Sequence, residues 1–251
     1  MDDGLRATAI ASVAARLRAA RFVAVLTGAG ISAESGVPTF RDAQTGLWAH
    51  FDPRELATPA AFAEHPKRVW DWYAERRALA ARVTPNAGHL ALVTVEQRVP
   101  DFALITQNVD GLHARAGSRK LIELHGNIAR VRCSACGRPA QHWDEAAAAL
   151  PPRCIACGAF LRPDVVWFEE LLPAAALAVA EDAMRRCDLL LVVGTSAEVY
   201  PAAALPAQAQ AAGACVVEIN PQDTPLAAGA DFSLRGRAGE LLPALVRAAW
   251  P

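Results

Sequence analysis

The 251-residue sequence has almost no net charge: 25 lysines and arginines stand against 26 acids, a balance of -1. Without a basic field there is little to hold nucleic acid or an anionic membrane surface, so neither is expected as a partner. No apolar run approaches membrane-spanning length. The first twenty residues do not read as a secretory leader either. Asp2 and Asp3 stand where a basic n-region would be, Arg16 and Arg18 interrupt any apolar core, and the two acids also weigh against a mitochondrial presequence. These absences predict a soluble cytoplasmic protein. The apolar fraction of 53% is ample for one large domain, alone or with a small module.

Disulfides are not expected either. Of six cysteines, four fall in two Cys-x-x-Cys pairs, which without an export signal reads as metal. Cys133 and Cys136 form one pair and Cys154 and Cys157 the other, with 137–153 between them. This is the spacing of a zinc ribbon, and Gly137 and Gly158 suit tight knuckle turns. Four thiolates close a tetrahedral site and leave no position for water. One Zn2+ per chain is therefore expected to be structural, which argues against a zinc hydrolase. Cys187 and Cys215 read as small buried hydrophobes.

Four short apolar runs read as buried parallel strands: Phe22–Thr27, 102–106, Leu189–Val193 and 214–219. Weaker candidates are 120–124 and 232–234. Helical stretches lie between them, including a first helix with Leu5, Ile10, Val13 and Leu17 near helical spacing. The alternation predicts an α/β sheet covered on both faces. Two stretches break it, 43–85 and 127–166, and are read as insertions forming a smaller lobe.

The segment Thr27-Gly28-Ala29-Gly30-Ile31-Ser32 follows the first strand. Small residues there let backbone N–H groups approach a phosphate. The Gly-x-Gly fingerprint lacks its third glycine, and a tight turn without a ligand fits equally well. Gly36 and Pro38 break any following helix, so 33–42 is expected to form an ordered loop beside a nucleotide, with Phe40 and Arg41 offering an aromatic face and a guanidinium. The second strand ends in Gln107-Asn108-Val109-Asp110. Asn108 can orient a ribose or a water and Asp110 can accept from an amide, although loop capping explains both. His125 ends a strand-like run and precedes a glycine, which suits a general base. His50, His65, His89, His113 and His142 lack comparable placement.

Together these motifs resemble the sirtuin family. The resemblance rests on 28–36, Thr39-Phe40-Arg41-Asp42, 106–113, 123–126, the cysteine pairs, 162–168, Gly194-Thr195-Ser196 and Ile219-Asn220-Pro221, in the family's order and covering the chain from about residue 20. It implies a single catalytic domain over 1–251: a large inverted Rossmann-type parallel-sheet lobe (1–42, 86–126 and 167–251), a helical module (43–85) and a four-cysteine zinc-ribbon module (127–166). It implies NAD as co-substrate and acyl-lysine proteins or peptides as substrate. Gly28, Ala29, Gly30, Ile31, Glu34, Phe40, Arg41, Trp48, Gln107, Asn108 and Asp110 would face the pyrophosphate, nicotinamide and its ribose. Gly194, Thr195, Ser196, Asn220, Pro221, Gln222 and Ala238 would face the adenosine half. In the implied reaction the acyl oxygen attacks the ribose C1′ as nicotinamide leaves, His125 is the general base on a ribose hydroxyl, and the products are free lysine and O-acyl-ADP-ribose. Val165, Trp167 and Phe168 would line the peptide cleft. The family commonly has Gly where this chain has Glu169, which bears on peptide register and charge preference.

Tyr73 and Arg76 are three residues apart on a helical pattern and share a face. A hydroxyl and a guanidinium converging in an apolar pocket bind a carboxylate well. The pair, with Ala57, resembles the sirtuin class preferring succinyl, malonyl or glutaryl lysine. The same chemistry permits mono-ADP-ribosyl transfer to a protein nucleophile, and a non-catalytic zinc-ribbon module is the third reading. The motifs do not fix an oligomeric state, and a monomer is compatible with them.

Overall fold

The computed structural model describes residues 3–38, 55–144 and 149–251. The chain opens with helix α1 (Asp3–Ala19) and strand β1 (Phe22–Thr27), whose six residues are all buried. Beyond 55 come α2 (Pro59–Glu64), α3 (Pro66–Arg82), α4 (Ala87–Arg98), β2 (Asp101–Thr106), α5 (Leu112–Ala116) and β3 (Leu121–Glu123). Strands β4 (Gly126–Cys133), β5 (Pro139–Ala140) and β6 (Leu161–Val165) follow. The chain finishes with α6 (Ala174–Arg186), β7 (Leu189–Val193), α7 (Leu205–Ala211), β8 (Cys215–Asn220), β9 (Phe232–Arg235) and α8 (Ala238–Ala249).

Six strands form one parallel sheet in the order β3-β2-β1-β7-β8-β9. Every residue of β1 and β7 is buried, because helices cover both faces and neither side of those strands meets water. Alternate residues divide between two cores. Val23, Val25, Leu191 and Val193 pack with Val13 and Leu17 of α1, Leu92 of α4 and Leu241 and Leu245 of α8. Ala24, Leu26, Leu190 and Val192 pack with Ala180 and Met184 of α6 and Leu205 and Ala209 of α7. The apolar stripe of α1 is narrower than its sequence suggests, since Leu5 is 64% exposed.

The chain builds outward from β1 through β2 to β3, then returns to the other side of β1 with β7. The strand order therefore reverses between β1 and β7. In open parallel sheets, ligands bind at such a reversal, outside the carboxyl ends of the strands.

Strands β5, β4 and β6 form a separate antiparallel sheet. Helix α3 packs on it through Trp70, which is fully buried with Val131, Cys133, Cys154 and Leu161, and through Val69 and Tyr73, which join Ile128, Val165 and Trp167. The stretch after β6 is tied back by two backbone bonds, Val166 N–H to His125 O (2.9 Å) just beyond β3 and Phe168 N–H to Ala57 O (2.9 Å). Among the described residues no helix is long and apolar enough to cross a membrane.

Candidate active site

At the reversal, the loops leaving β1 and β7 touch backbone to backbone. Gly28 N–H donates to Val193 O (3.0 Å) and Gly30 N–H to Gly194 O (2.8 Å). A Cβ on Gly28 would lie 2.7 Å from the Thr195 Cβ, and one on Gly30 would lie 2.7 Å from the Gly194 Cα. Gly194 adopts φ +60°, where a Cβ would meet Ile31 N at 2.5 Å. These glycines are required by the close crossing itself. The sequence suggests that their N–H groups cradle phosphate, but those of Gly28 and Gly30 are already spent on the neighbouring loop. Ala29 and Ile31 lie in the short 3-10 turn that follows, with Ile31 buried.

The exit of β2 is wired into this crossing. Asn108 Nδ2 donates to Gly28 O (3.1 Å) and Ser32 Oγ (3.2 Å), and Ser32 Oγ donates to Asp110 Oδ2 (2.7 Å). Asp110 Oδ1 accepts from Leu112 N–H (2.8 Å). Burial raises the Asp110 carboxyl above its ordinary range, opposed by these two donors. Gln107 Nε2 donates to Thr195 Oγ1 (3.0 Å). Below them Thr27 Oγ1 donates to Thr106 Oγ1 (2.8 Å), which also accepts from Asn108 N–H (3.0 Å). Asn108 is thus fixed through both its amide side chain and its backbone.

His125 follows β3, half-buried at the same end of the sheet. Its Nδ1 is 3.0 Å from Gln107 O, a carbonyl that can only accept. The ring proton therefore sits on Nδ1, and Nε2 presents a lone pair. Burial lowers the ring below the ordinary histidine range, against the opposing pull of the Gln107 carbonyl, and so keeps the base neutral.

On the β8 side, Asn220 Nδ2 donates to Thr195 O (2.9 Å) and its Oδ1 accepts from Gln222 N–H (3.2 Å). Pro221 and Gln222 are exposed just beyond the strand, and Ser196 is half-buried. Buried Glu218 holds this loop from beneath, accepting from Thr224, Ser233 and Arg235. Ala238 is buried at the start of α8. Glu34 turns to that helix too, its carboxylate accepting from Gly239 N–H (2.7 Å).

Tyr73 and Arg76 lie on α3. Trp167 Nε1 donates to the Tyr73 hydroxyl (3.0 Å), and burial pushes that phenol up to about 12. The hydroxyl thus accepts one bond and keeps its own proton. The Arg76 guanidinium lies over the Trp72 ring, 3.2 Å from its centroid. Burial lowers Arg76 to about 10, which leaves it charged at neutral pH. Val165 and Trp167 are buried beside Tyr73, Ala57 is buried in the same cluster, and Phe168 is part-exposed. Buried Arg162 stacks on Trp167 at 3.3 Å and pairs with Glu170 (2.5 Å). Glu169 has φ +71°, the left-handed region that favours glycine.

The sulfurs of Cys133, Cys136, Cys154 and Cys157 lie within 4.8 Å of one another, with Cys133–Cys157 at 3.3 Å and Cys136–Cys154 at 3.9 Å. A tetrahedral zinc thiolate with bonds of about 2.3 Å separates its sulfurs by roughly 3.8 Å, so the cluster fits such an ion. The N–H groups of Cys136 and Ala135 point at Cys133 Sγ, favour its thiolate and pull the thiol down to about 6.

Phe40, Arg41 and Trp48 lie outside the described residues. Sequence reasoning passed over Thr27, Ser32, Asn86, Thr106 and the buried pair His89 and His113. The one signal was positional: Thr27 and Thr106 each close an apolar strand at its carboxyl end.

Residues 28–201 match the Sir2 family. An NAD-dependent protein deacylase of Ralstonia nicotianae (strain ATCC BAA-1114 / GMI1000) is 55% identical over 243 residues, covering 96% of this chain and 97% of that protein. Among solved structures, a Sir2 homologue–NAD complex superimposes with a TM-score of 0.88 at 46% identity, covering 95% of this chain and 93% of that one. A mutant Sir2 homologue bound to ADP ribose gives 0.87 at 44% identity, covering 99% and 96%.

Proposed function

The chain belongs to the Sir2, or sirtuin, family, and from that premise we propose that it is an NAD-dependent protein-lysine deacylase acting through His125 and Asn108. The observation that carries this is the paired fixation of those two residues. His125 is held by Gln107 O with Nε2 free to take a proton, and Asn108 is held by Gly28, Ser32 and Thr106. NAD supplies the sugar carbon that receives the acyl oxygen and nicotinamide as the leaving group.

Asn108 and Asp110 form the polar wall of the nicotinamide pocket. Gln107 and Thr195 bridge the two halves of the site, and Asn220 orients the loop at the adenosine end. Neutral His125 accepts a ribose hydroxyl proton at Nε2, and its Nδ1–H remains bonded to Gln107 O, which steadies the imidazolium that results. The four cysteines hold one structural zinc.

For the acyl group, the reading is a preference for short chains ending in a carboxylate, succinyl or malonyl, with acetyl also accepted. Tyr73 retains a proton to donate, and Arg76 remains charged on the same helix face. An arginine fork takes a carboxylate through two parallel N–H donors, and a phenol beside it would add a third. The test is a panel of acyl-lysine peptides with NAD, followed by nicotinamide release. Arg76→Met is expected to lower kcat/KM for the succinyl peptide about 30-fold, roughly 2 kcal/mol, and for the acetyl peptide by less than about threefold. Equal losses on both peptides would remove the carboxylate preference and leave the deacylase reading intact.

A further inference from the structure

His89 and His113 have no role in the site as described so far, yet both are fully enclosed, at 0% and 2% exposure. Their rings stand 4.8 Å apart between centroids, inclined at 56°. In each ring one nitrogen has a partner. The others, His89 Nε2 and His113 Nδ1, are buried with none. The partners fix the tautomers. Asn86 N–H donates to His89 Nδ1 (3.3 Å), which leaves that ring's proton on Nε2. The Thr27 hydroxyl spends its proton on Thr106, so it accepts from His113 Nε2 (3.0 Å), and His113 Nδ1 bears a lone pair. The two orphaned atoms are therefore a donor and an acceptor, carried by neighbouring enclosed rings. Burial disfavours charge on either ring, pulling His89 down to about 4 and His113, with His89 beside it, to about 3.

Resting on the reading of Asn108 as part of the nicotinamide pocket, we propose that His113 is a positioning residue for Asn108. It acts through the hydroxyls of Thr27 and Thr106, and His89 fixes its tautomer by donating from Nε2 to His113 Nδ1 through one enclosed water. The chain of donors runs in one direction from Asn86 through His89, His113 and Thr27 to Thr106, where the Asn108 N–H arrives from the other side. Asn86 also donates to Ile31 O (2.7 Å) and Ser35 Oγ (3.0 Å), while Asn108 donates to Gly28 O and Ser32 Oγ. Both ends of the chain thus grip the glycine loop, one at 31 and 35, the other at 28 and 32.

Protein carrying 15N-labelled histidine rings tests the link directly. Long-range 1H–15N correlations at pH 7 are expected to give neutral Nε2–H tautomers for both His89 and His113. An Nδ1–H tautomer of His113, or a charged ring at either position, overturns it. The positioning role is read from kinetics. His113→Phe is expected to lower kcat for nicotinamide release about tenfold with KM for NAD within about twofold, and His113→Gln, whose amide can still donate to Thr27, to recover most of that loss. Unchanged kcat in the Phe variant, or equal losses in both variants, overturns the role. Should the Phe variant fail to fold, the tautomers and the Gln variant decide. Full nicotinamide release by Asn108→Ala would instead overturn the pocket reading, and the positioning role with it, while the tautomers still decide the His89–His113 link.

Discussion

The two sheets hold together by different means. The large one is a matter of area: β1 and β7 are apolar at almost every position and buried on both faces, and other apolar residues of similar size would fill each core nearly as well. The small one depends on particular groups. Strand β6 reads Leu-Arg-Pro-Asp-Val, β5 is two residues long, and the surrounding order comes from Trp70, the Arg162–Glu170 pair and four converging sulfurs. A lobe built on bulk burial should shed single contacts gracefully, whereas one built on named cross-links should fail when one of them is cut.

The sharpest way to break that contrast is to empty the proposed zinc site. Structural zinc is worth on the order of 10 kcal/mol in small modules. Chelation, or Cys136→Ser, is expected to open 126–165 to fast amide exchange while Phe22–Thr27 and Leu189–Val193 stay protected. Exchange that rises uniformly, or not at all, would make the cysteines incidental to the fold. Next in size is His125→Ala at the junction of the sheets. Losing a general base on the ribose hydroxyl should lower kcat for formation of free lysine about 10³-fold. The melting temperature should move by no more than about 3 °C, because a half-buried ring with one hydrogen bond is removed. A collapsed melting temperature would make His125 a strut.

Gly126→Ala strikes the same junction from the backbone. The position has φ +82° and a Cβ there would run into Asp164 O. A loss of about 3 kcal/mol in urea unfolding is expected, and a neutral result would show that the junction yields. The smallest expected effect per step is that of acid on the large lobe. In the unfolded chain His89 and His113 take protons near 6.5, but in the fold only near 4 and 3. The unfolded state therefore binds more protons as pH falls below 6.5, and folding stability drops. The slope for each ring rises from about 0.7 kcal/mol per unit at pH 6.5 to about 1.3 at pH 5. A urea midpoint that stays flat over that interval would contradict the neutral buried pair.

What could be read in the sequence follows the same division. The runs at Phe22–Thr27 and Leu189–Val193 announced themselves because a strand covered on both faces has no polar alternation to dilute it. Leu161–Val165 could not, since its arginine is buried only by virtue of Glu170 and Trp167, and nothing in the residue pattern says that the chain after the strand folds back onto that arginine. The cysteines were legible because the pattern of a metal site is local. The glycine loop was found for a partial reason: phosphate contact was expected, and the structure adds a backbone crossing with Gly194, a residue far along the chain. Glu34 likewise looked like part of a nucleotide loop, and its carboxylate reaches the first turn of α8. His89 and His113 gave no signal because what makes them notable is an orphaned nitrogen on each, visible only once their neighbours are known.

The crossing of Gly28, Gly30 and Gly194 has a consequence for how such a protein can change over generations. Each position is barred from acquiring a side chain by the bareness of the others, so no single substitution offers a gradual way out. The three behave as one inherited character. In a library randomised at all three, active clones should be almost entirely triple glycine.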